Sequence, residues 1–223
     1  MSSETASTHR TREWRIPAVL LALTFVPAAN GVLRLADLAG PASVESARFH
    51  ASPIPIAAHA IGGIVFCGLG AFQFMPSLRL RHPRYHRIAG RIVLTAGLAM
   101  ALSALWMTQV YDIVPEQSPQ VYAVRMLVGA ATTVGLVLAL AAILRRDVPA
   151  HRSWMLRSYA LGLGAATQSL IGLPVAAVVG LDQLLAPAVH VTVLSAGWGI
   201  NALVAEWIVR RRPRGAPEVV PVP

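Results

Sequence analysis

The sequence contains no lysine, a single cysteine and few charged residues of either sign. Charged residues make up 13% of its 223 residues and hydrophobic residues 55%. Because lysine is absent, all 19 basic residues are arginine. Soluble domains usually carry about twice that charged fraction. The lone Cys67 excludes an intrachain disulfide and a metal site built from several cysteines, and its place in an apolar run favours a packing role over a reactive thiol. The composition therefore predicts an integral membrane protein.

Motifs that would identify an enzyme are also absent. The sequence has no glycine-rich phosphate loop, no His-Glu-x-x-His zinc motif and no Gly-x-Ser-x-Gly nucleophile elbow. A pair of catalytic carboxylates is disfavoured because Glu206 has no acidic neighbour within the apolar runs. We therefore assign no catalytic residue, and a membrane redox protein stays the only enzyme-like hypothesis.

Six apolar runs dominate the chain. Each is long enough to cross about 30 Å of hydrocarbon as a helix, the state in which a lipid-exposed segment satisfies its own backbone hydrogen bonds. The sequence predicts an all-α bundle of six transmembrane helices forming one domain over residues 13–212, with disordered tails at 1–12 and 213–223. The runs are 15–36, 54–77, 90–112, 121–144, 153–179 and 187–209.

Arginine is concentrated in the N-terminal segment, the second and fourth separators and the C-terminal segment. These segments lie on one side of a six-helix bundle, so the positive-inside rule predicts a bacterial inner-membrane protein with both termini cytoplasmic. The net charge of +9 is then loop charge and predicts no nucleic-acid partner. The first run also resembles a signal peptide, whose cleavage would leave five helices, but its apolar character continues to about Leu38 and favours a retained anchor.

Ionisable residues inside membrane spans are costly, and here they fall into two layers. Arg34, His59, Arg125 and His190 lie at similar depths in the outer halves of four helices, and Arg34 and Arg125 are candidate anion ligands. Arg157 and Glu206 lie in the inner halves of the last two helices. Because helices adjacent in sequence are usually neighbours, we expect Arg157 and Glu206 to form a structural ion pair.

Two inner separators carry similar His-Arg signatures, Arg81–Arg91 and His151–Leu161, each just before an apolar run. With His59 in a small-residue helix and with Asn201 and Glu206 in the last one, these stretches resemble the domain-of-unknown-function 2306 family of predicted bacterial multi-pass membrane proteins. The most specific part is His-Arg-Ser-Trp-Met-Leu-Arg-Ser-Tyr-Ala-Leu. The resemblance covers helices two to six and implies a fold, without an activity.

One hypothesis is a b-type haem protein that transfers electrons, because neutral imidazole is a common axial ligand of haem iron. His59 and His190 form an outer candidate pair and His86 and His151 an inner one, as in the cytochrome b561 group, although the inner histidines lie at helix starts. Arg34 or Arg125 would hold a haem propionate. A Soret band lost in His59→Ala would support this hypothesis, and a colourless preparation from haem-replete cells would count against it.

Two further hypotheses stay open. A small transporter or binder of an anionic or amphipathic molecule would use the outer layer, although the sequence shows no internal repeat and no clearly broken helix pair. Flux that depends on Arg125 would distinguish it. In a structural or accessory protein, His59 and Arg125 would pair with backbone carbonyls or with acidic groups such as Asp112. The lipid bilayer is the one partner that all three share, and a homo-oligomer or a redox partner is compatible with the sequence.

Overall fold

The computed structural model describes residues 2–111 and 118–211, with side chains from residue 13 onward. Within these ranges the chain forms helices and no strand. The helices are α1 (Ser2–Leu38), α2 (Ala47–Ala51), α3 (Pro53–Phe72), α4 (Pro76–Arg81), α5 (Pro83–Val110), α6 (Pro119–Leu144), α7 (Val148–Gly162), α8 (Gly164–Val179), α9 (Leu181–Leu185) and α10 (Pro187–Arg211).

Six segments of the described chain are long and apolar enough to span a membrane, which confirms the predicted fold class. They are Glu13–Leu38, Pro53–Phe72, Pro83–Val110, Pro119–Leu144, Val148–Val179 and Pro187–Arg211. The protein is therefore a multi-pass membrane protein whose surroundings are the lipid bilayer. The bounds of α1 include residues 2–12, for which a tail was expected, and the C-terminal tail at 213–223 lies outside the described residues.

Two spans begin earlier than the hydropathy predicts. A proline in the first turn starts both α5 and α7, where its fixed φ and missing N–H cost nothing. The side chain of Asp147 caps α7 by accepting a hydrogen bond from the Ala150 N–H at 3.0 Å. His86 and His151 consequently lie on the first turns of helices rather than in loops.

The fifth span, formed by α7 and α8, contacts four other spans. It packs against α1, α3, α6 and α10, while α3 lies between α1 and α5, and α5 also contacts α6. Because consecutive spans run in opposite directions, the ends of α3 and α6 lie on the same side of the bundle as the beginnings of α5 and α7. We call this side the arginine-rich face. Its arginines are Arg79, Arg81, Arg84, Arg87, Arg145, Arg146 and Arg152.

The closest helix crossing joins α3 to α5 at Gly62. A Cβ on Gly62 would lie 2.8 Å from the Ala96 carbonyl oxygen and 2.9 Å from the Met100 nitrogen. One turn further on, Phe66 is fully buried and lies against Gly97 of α5 and Gly162 of α7. Small residues thus allow backbones to approach in lipid, where apolar surface alone does not drive helices together.

The fifth span is broken at Leu163, between Gly162 and Gly164, where α7 ends and α8 begins. This single interruption is not the broken helix pair whose absence was expected. Both glycines lie next to aromatic side chains: Phe66 packs against Gly162, and the indole of Trp198 packs against Gly164. The hydropathy of the span hides the break, because the residues on both sides of it are apolar.

The Gly62 crossing predicts a large difference between two Gly→Ala substitutions in the same helix. Gly62→Ala forces the α3 and α5 backbones apart and should lower the free energy of unfolding by about 1–3 kcal/mol. Gly68→Ala is the matched control, because no atom lies within 4 Å of its added Cβ and helix propensity favours alanine by up to about 1 kcal/mol. Thermal unfolding in detergent measures both, and an equal response of the two variants would contradict the crossing.

Candidate functional site

A cavity of about 360 Å³ opens at the end of the bundle opposite the arginine-rich face. It lies where α3 and α6 begin and where α5 ends, and the broken fifth span and α10 complete its wall. We call it the Arg48–Arg125 cavity. Its lining is Arg48, Phe49, Ile56, His59, Met100, Ala101, Ala104, Met107, Thr108, Tyr111, Arg125, Val128, Gly129, Thr132, Leu161, Gly162, Ala165, Gln168, Leu194 and Trp198.

His59 is fixed by a hydrogen bond across the α3–α5 crossing. Its Nδ1 lies 3.0 Å from the carbonyl oxygen of Met100. A carbonyl only accepts, so Nδ1 carries the proton and donates, and in the neutral ring Nε2 keeps its lone pair. Nε2 has no hydrogen-bond partner among the described residues. The cavity therefore contains an oriented imidazole whose unprotonated nitrogen can accept a proton or bind an electrophile.

Two arginines from different elements line the same cavity. Arg125 projects from the second turn of α6 and lies within electrostatic range of Arg48, on the short helix α2. In the described part of the chain, Arg125 has no hydrogen bond or ion pair, and the Nε and Nη1 of Arg48 are buried without an acceptor. The two cations consequently face one cavity with no carboxylate from the described residues between them.

Aromatic rings close the end of the cavity. The rings of Phe49 and Tyr111 meet edge to face at 5.2 Å, and the Tyr111 hydroxyl donates a 2.8 Å hydrogen bond to the Ser52 carbonyl. Burial raises the pKa of the Tyr111 phenol, which therefore stays neutral. The guanidinium carbons of Arg34 and Arg48 each lie 4.7 Å from the Phe49 ring centre, so α2 and its aromatic contacts form a roof.

The predicted outer layer is only partly assembled here. His59 and Arg125 line the cavity, but Arg34 and His190 do not. Arg34 lies outside it, on the Phe49 ring and 3.8 Å from the carboxylate of Asp37. Asp112, an expected pairing partner of the layer, lies outside the described residues.

His86 and His151 approach each other at the arginine-rich face. His151 donates from Nδ1 to the Ala139 carbonyl of α6 at 2.9 Å, while Nδ1 of His86 is buried without a hydrogen-bond partner. His86 lies within electrostatic range of His151, Arg79 and Arg152. No group of three metal-ligating side chains occurs among the described residues, so this cluster combines two imidazoles with a strongly basic surround.

Arg157 and Glu206 form an ion pair between α7 and α10. Both Nε and Nη2 of Arg157 lie 2.9 Å from Oε2 of Glu206, and Nε of Arg210 donates to Oε1 at 2.8 Å. The guanidinium of Arg157 also stacks on the Trp154 ring at 5.0 Å. One carboxylate thus serves two arginines, and its location apart from the Arg48–Arg125 cavity is that of a structural link.

The sequence reasoning missed several lining residues. Neither Arg48 nor Tyr111 was predicted to belong to the site. Gln168, whose amide donates to the Leu194 carbonyl at 3.2 Å, was not considered. A polar amide within an apolar run is a signal that was available for Gln168, whereas the position of Arg48 depends on the folding of the connection between α1 and α3.

Comparison with known proteins adds a family and no activity. The sequence model of a family described as "Predicted membrane protein (DUF2306)" matches residues 56–209. This range includes His59, Arg125, both His-Arg signatures and Glu206. None of the curated proteins and none of the solved structures matches the chain.

The shared carboxylate predicts an ordered series of stabilities. Glu206→Gln removes the only acidic group in this ion-pair network and leaves Arg157 and Arg210 facing each other, so it should lower the melting temperature in detergent. Arg210→Gln is the matched control, because its side chain is 77% exposed and exposed pairs contribute little. A larger loss for Arg210→Gln than for Glu206→Gln would contradict the structural link.

Proposed function

The chain belongs to the DUF2306 family of predicted membrane proteins, and we propose that it binds a small amphipathic anion in the Arg48–Arg125 cavity. The observation that carries the proposal is the pair of guanidinium groups on one cavity wall without a carboxylate from the described residues. The proposal requires only that the ligand binds; a transporter would in addition have to move the bound ligand across the membrane.

The charges of the cavity favour an anionic ligand. A buried charge without a partner is costly, and two like charges in the same cavity raise that cost. An anion between Arg48 and Arg125 would accept hydrogen bonds from both guanidinium groups and offset their repulsion. Carboxylate, sulfonate and phosphate groups share the required geometry.

The remainder of the lining favours an apolar body on the same ligand. Met100, Met107, Leu194 and Trp198 contribute thioether, aliphatic and indole surface to the lining. A cavity of about 360 Å³ lies within the usual range for small-molecule sites, which are mostly apolar with a few polar groups. The ligand would therefore place its charged end beneath α2 and its apolar end near the break in the fifth span.

The arrangement of arginines extends the proposal to the location of the site. With both termini in the cytoplasm of a bacterial cell, the cavity lies in the half of the inner membrane that faces away from the cytoplasm. A ligand would then enter from that side, past the Phe49–Tyr111 roof.

Haem is less well supported than an organic anion. The outer bis-histidine site requires His59 and His190 on one cavity, and only His59 belongs to the lining. The outer pair therefore does not fit a bis-histidine haem, and we derive no redox step. An absorption spectrum of the purified protein with a Soret band would favour haem and count against the anion as occupant.

The proposal predicts selective binding of an amphipathic anion by the protein in lipid nanodiscs. Isothermal titration calorimetry should detect 1-hexanesulfonate, with much weaker binding of 1-hexanol, which lacks the charge, and of methanesulfonate, which lacks the chain. Arg125→Gln and Arg48→Gln should each weaken hexanesulfonate binding by about 10- to 100-fold, since a hydrogen bond to a charged group contributes about 1.5–3 kcal/mol.

Arg145→Gln supplies the matched control. It removes the same charge from an exposed position at the arginine-rich face, where we expect an effect of less than about twofold because exposed charges are screened. Equal losses in all three variants would mean that net charge, and not the cavity, attracts the anion. An absence of hexanesulfonate binding in the wild-type protein would overturn the proposal.

A further inference from the structure

The proposed anion site contains one side chain that can change its charge near neutral pH. Among the described lining residues, His59 is the only one whose side chain ordinarily titrates near neutral pH. Building on the proposed function, we infer that binding of the anion in the Arg48–Arg125 cavity is coupled to the uptake of one proton by Nε2 of His59.

The hydrogen bond of His59 decides which nitrogen can take the proton. Nδ1 already donates to the Met100 carbonyl at 3.0 Å, and the Gly62 contact holds α3 and α5 at this distance. The ring cannot release that bond without leaving a buried carbonyl with one partner fewer. Protonation therefore occurs at Nε2, and the imidazolium then has a donor available for the cavity.

The surrounding charges make protonation depend on the ligand. Arg125 on α6 lies within electrostatic range of His59, Arg48 on α2 lies within range of Arg125, and Tyr111 follows α5. On α1, Arg34 and Asp37 form a separate ion pair beyond Phe49. The lining residues from α7, α8 and α10 carry no charge. A third cation beside two guanidinium groups is unfavourable, whereas a bound anion supplies the compensating charge.

The balance of charge is simple. An anion of charge −1 enters from the solvent together with one proton, the proton adds to Nε2 of His59, and no other bond forms or breaks. The net charge of the cavity is then the same before and after binding. The bound anion offsets the positive charge that the proton adds, so protonation of the ring costs less in the complex than in the empty cavity, and by linkage a ligand that favours the protonated ring must bind more tightly at lower pH.

The test uses 1-hexanesulfonate, because a sulfonate stays ionised across the pH range studied. In wild-type nanodiscs, the dissociation constant should rise by up to about tenfold per pH unit between about pH 6 and about pH 8.5. Calorimetry in two buffers with different heats of ionisation should give uptake of close to one proton per bound anion. This second readout needs no variant and therefore does not depend on whether a variant folds.

His59→Gln and His190→Gln form the matched pair of variants. His59→Gln removes the titratable ring, so this variant should bind hexanesulfonate without proton uptake and with a dissociation constant that varies less than about twofold over this pH range. His190→Gln removes a histidine from α10 outside the lining and should behave as the wild type does.

The outcomes separate the two proposals. Hexanesulfonate binding that is independent of pH and of the buffer, or proton uptake that persists in His59→Gln, overturns the coupling and leaves the anion site intact. A wild-type protein that does not bind hexanesulfonate at any pH overturns the anion site, and the coupling with it. Co-purified lipid, extracted and analysed by mass spectrometry, would distinguish a lipid head group from a free amphiphile as the source of the anion.

Discussion

The contact between α3 and α5 at Gly62 is the constraint on which the rest of the bundle depends. Backbone atoms of Ala96 and Met100 occupy the space that a side chain at position 62 would need. The same crossing brings His59, three residues earlier on α3, within 3.0 Å of the Met100 carbonyl. Helix packing and site geometry therefore depend on the same contact, because the short separation of α3 and α5 also lets the imidazole of His59 reach the Met100 carbonyl.

Small residues also lie on both sides of the break in the fifth span, where they leave room for aromatic side chains. Phe66 at the α3–α5 contact fills the space beside Gly162, and Trp198 of α10 fills the space beside Gly164. Leu163 separates the two helices, and the residues before and after it in the chain are both glycine. Irregular backbone at membrane depth is tolerated where it is buried in protein or lines a cavity, and Gly162 does line this one.

The sequence determines the number and order of the spans because lipid leaves the backbone one solution, the helix. Counting along the spans also located His59 and Arg125 at a common depth. Rotation about the helix axis was not predictable, since helices that are apolar all round give no sign of which side faces a neighbour. His190 therefore lies outside the cavity despite its similar depth, and Arg48 lies inside it because a connecting segment folds back over the bundle.

The chain treats partly buried arginine in two different ways. At Arg157 it supplies its own carboxylate from Glu206, which binds Nε and Nη2, and the same guanidinium stacks on Trp154. At Arg48 and Arg125 the described residues supply no carboxylate. If both sites were purely structural, the second would place two cations near each other without a carboxylate from the described residues. In the proposed function, an anion from outside offsets the charge of both guanidinium groups and favours the protonation of His59.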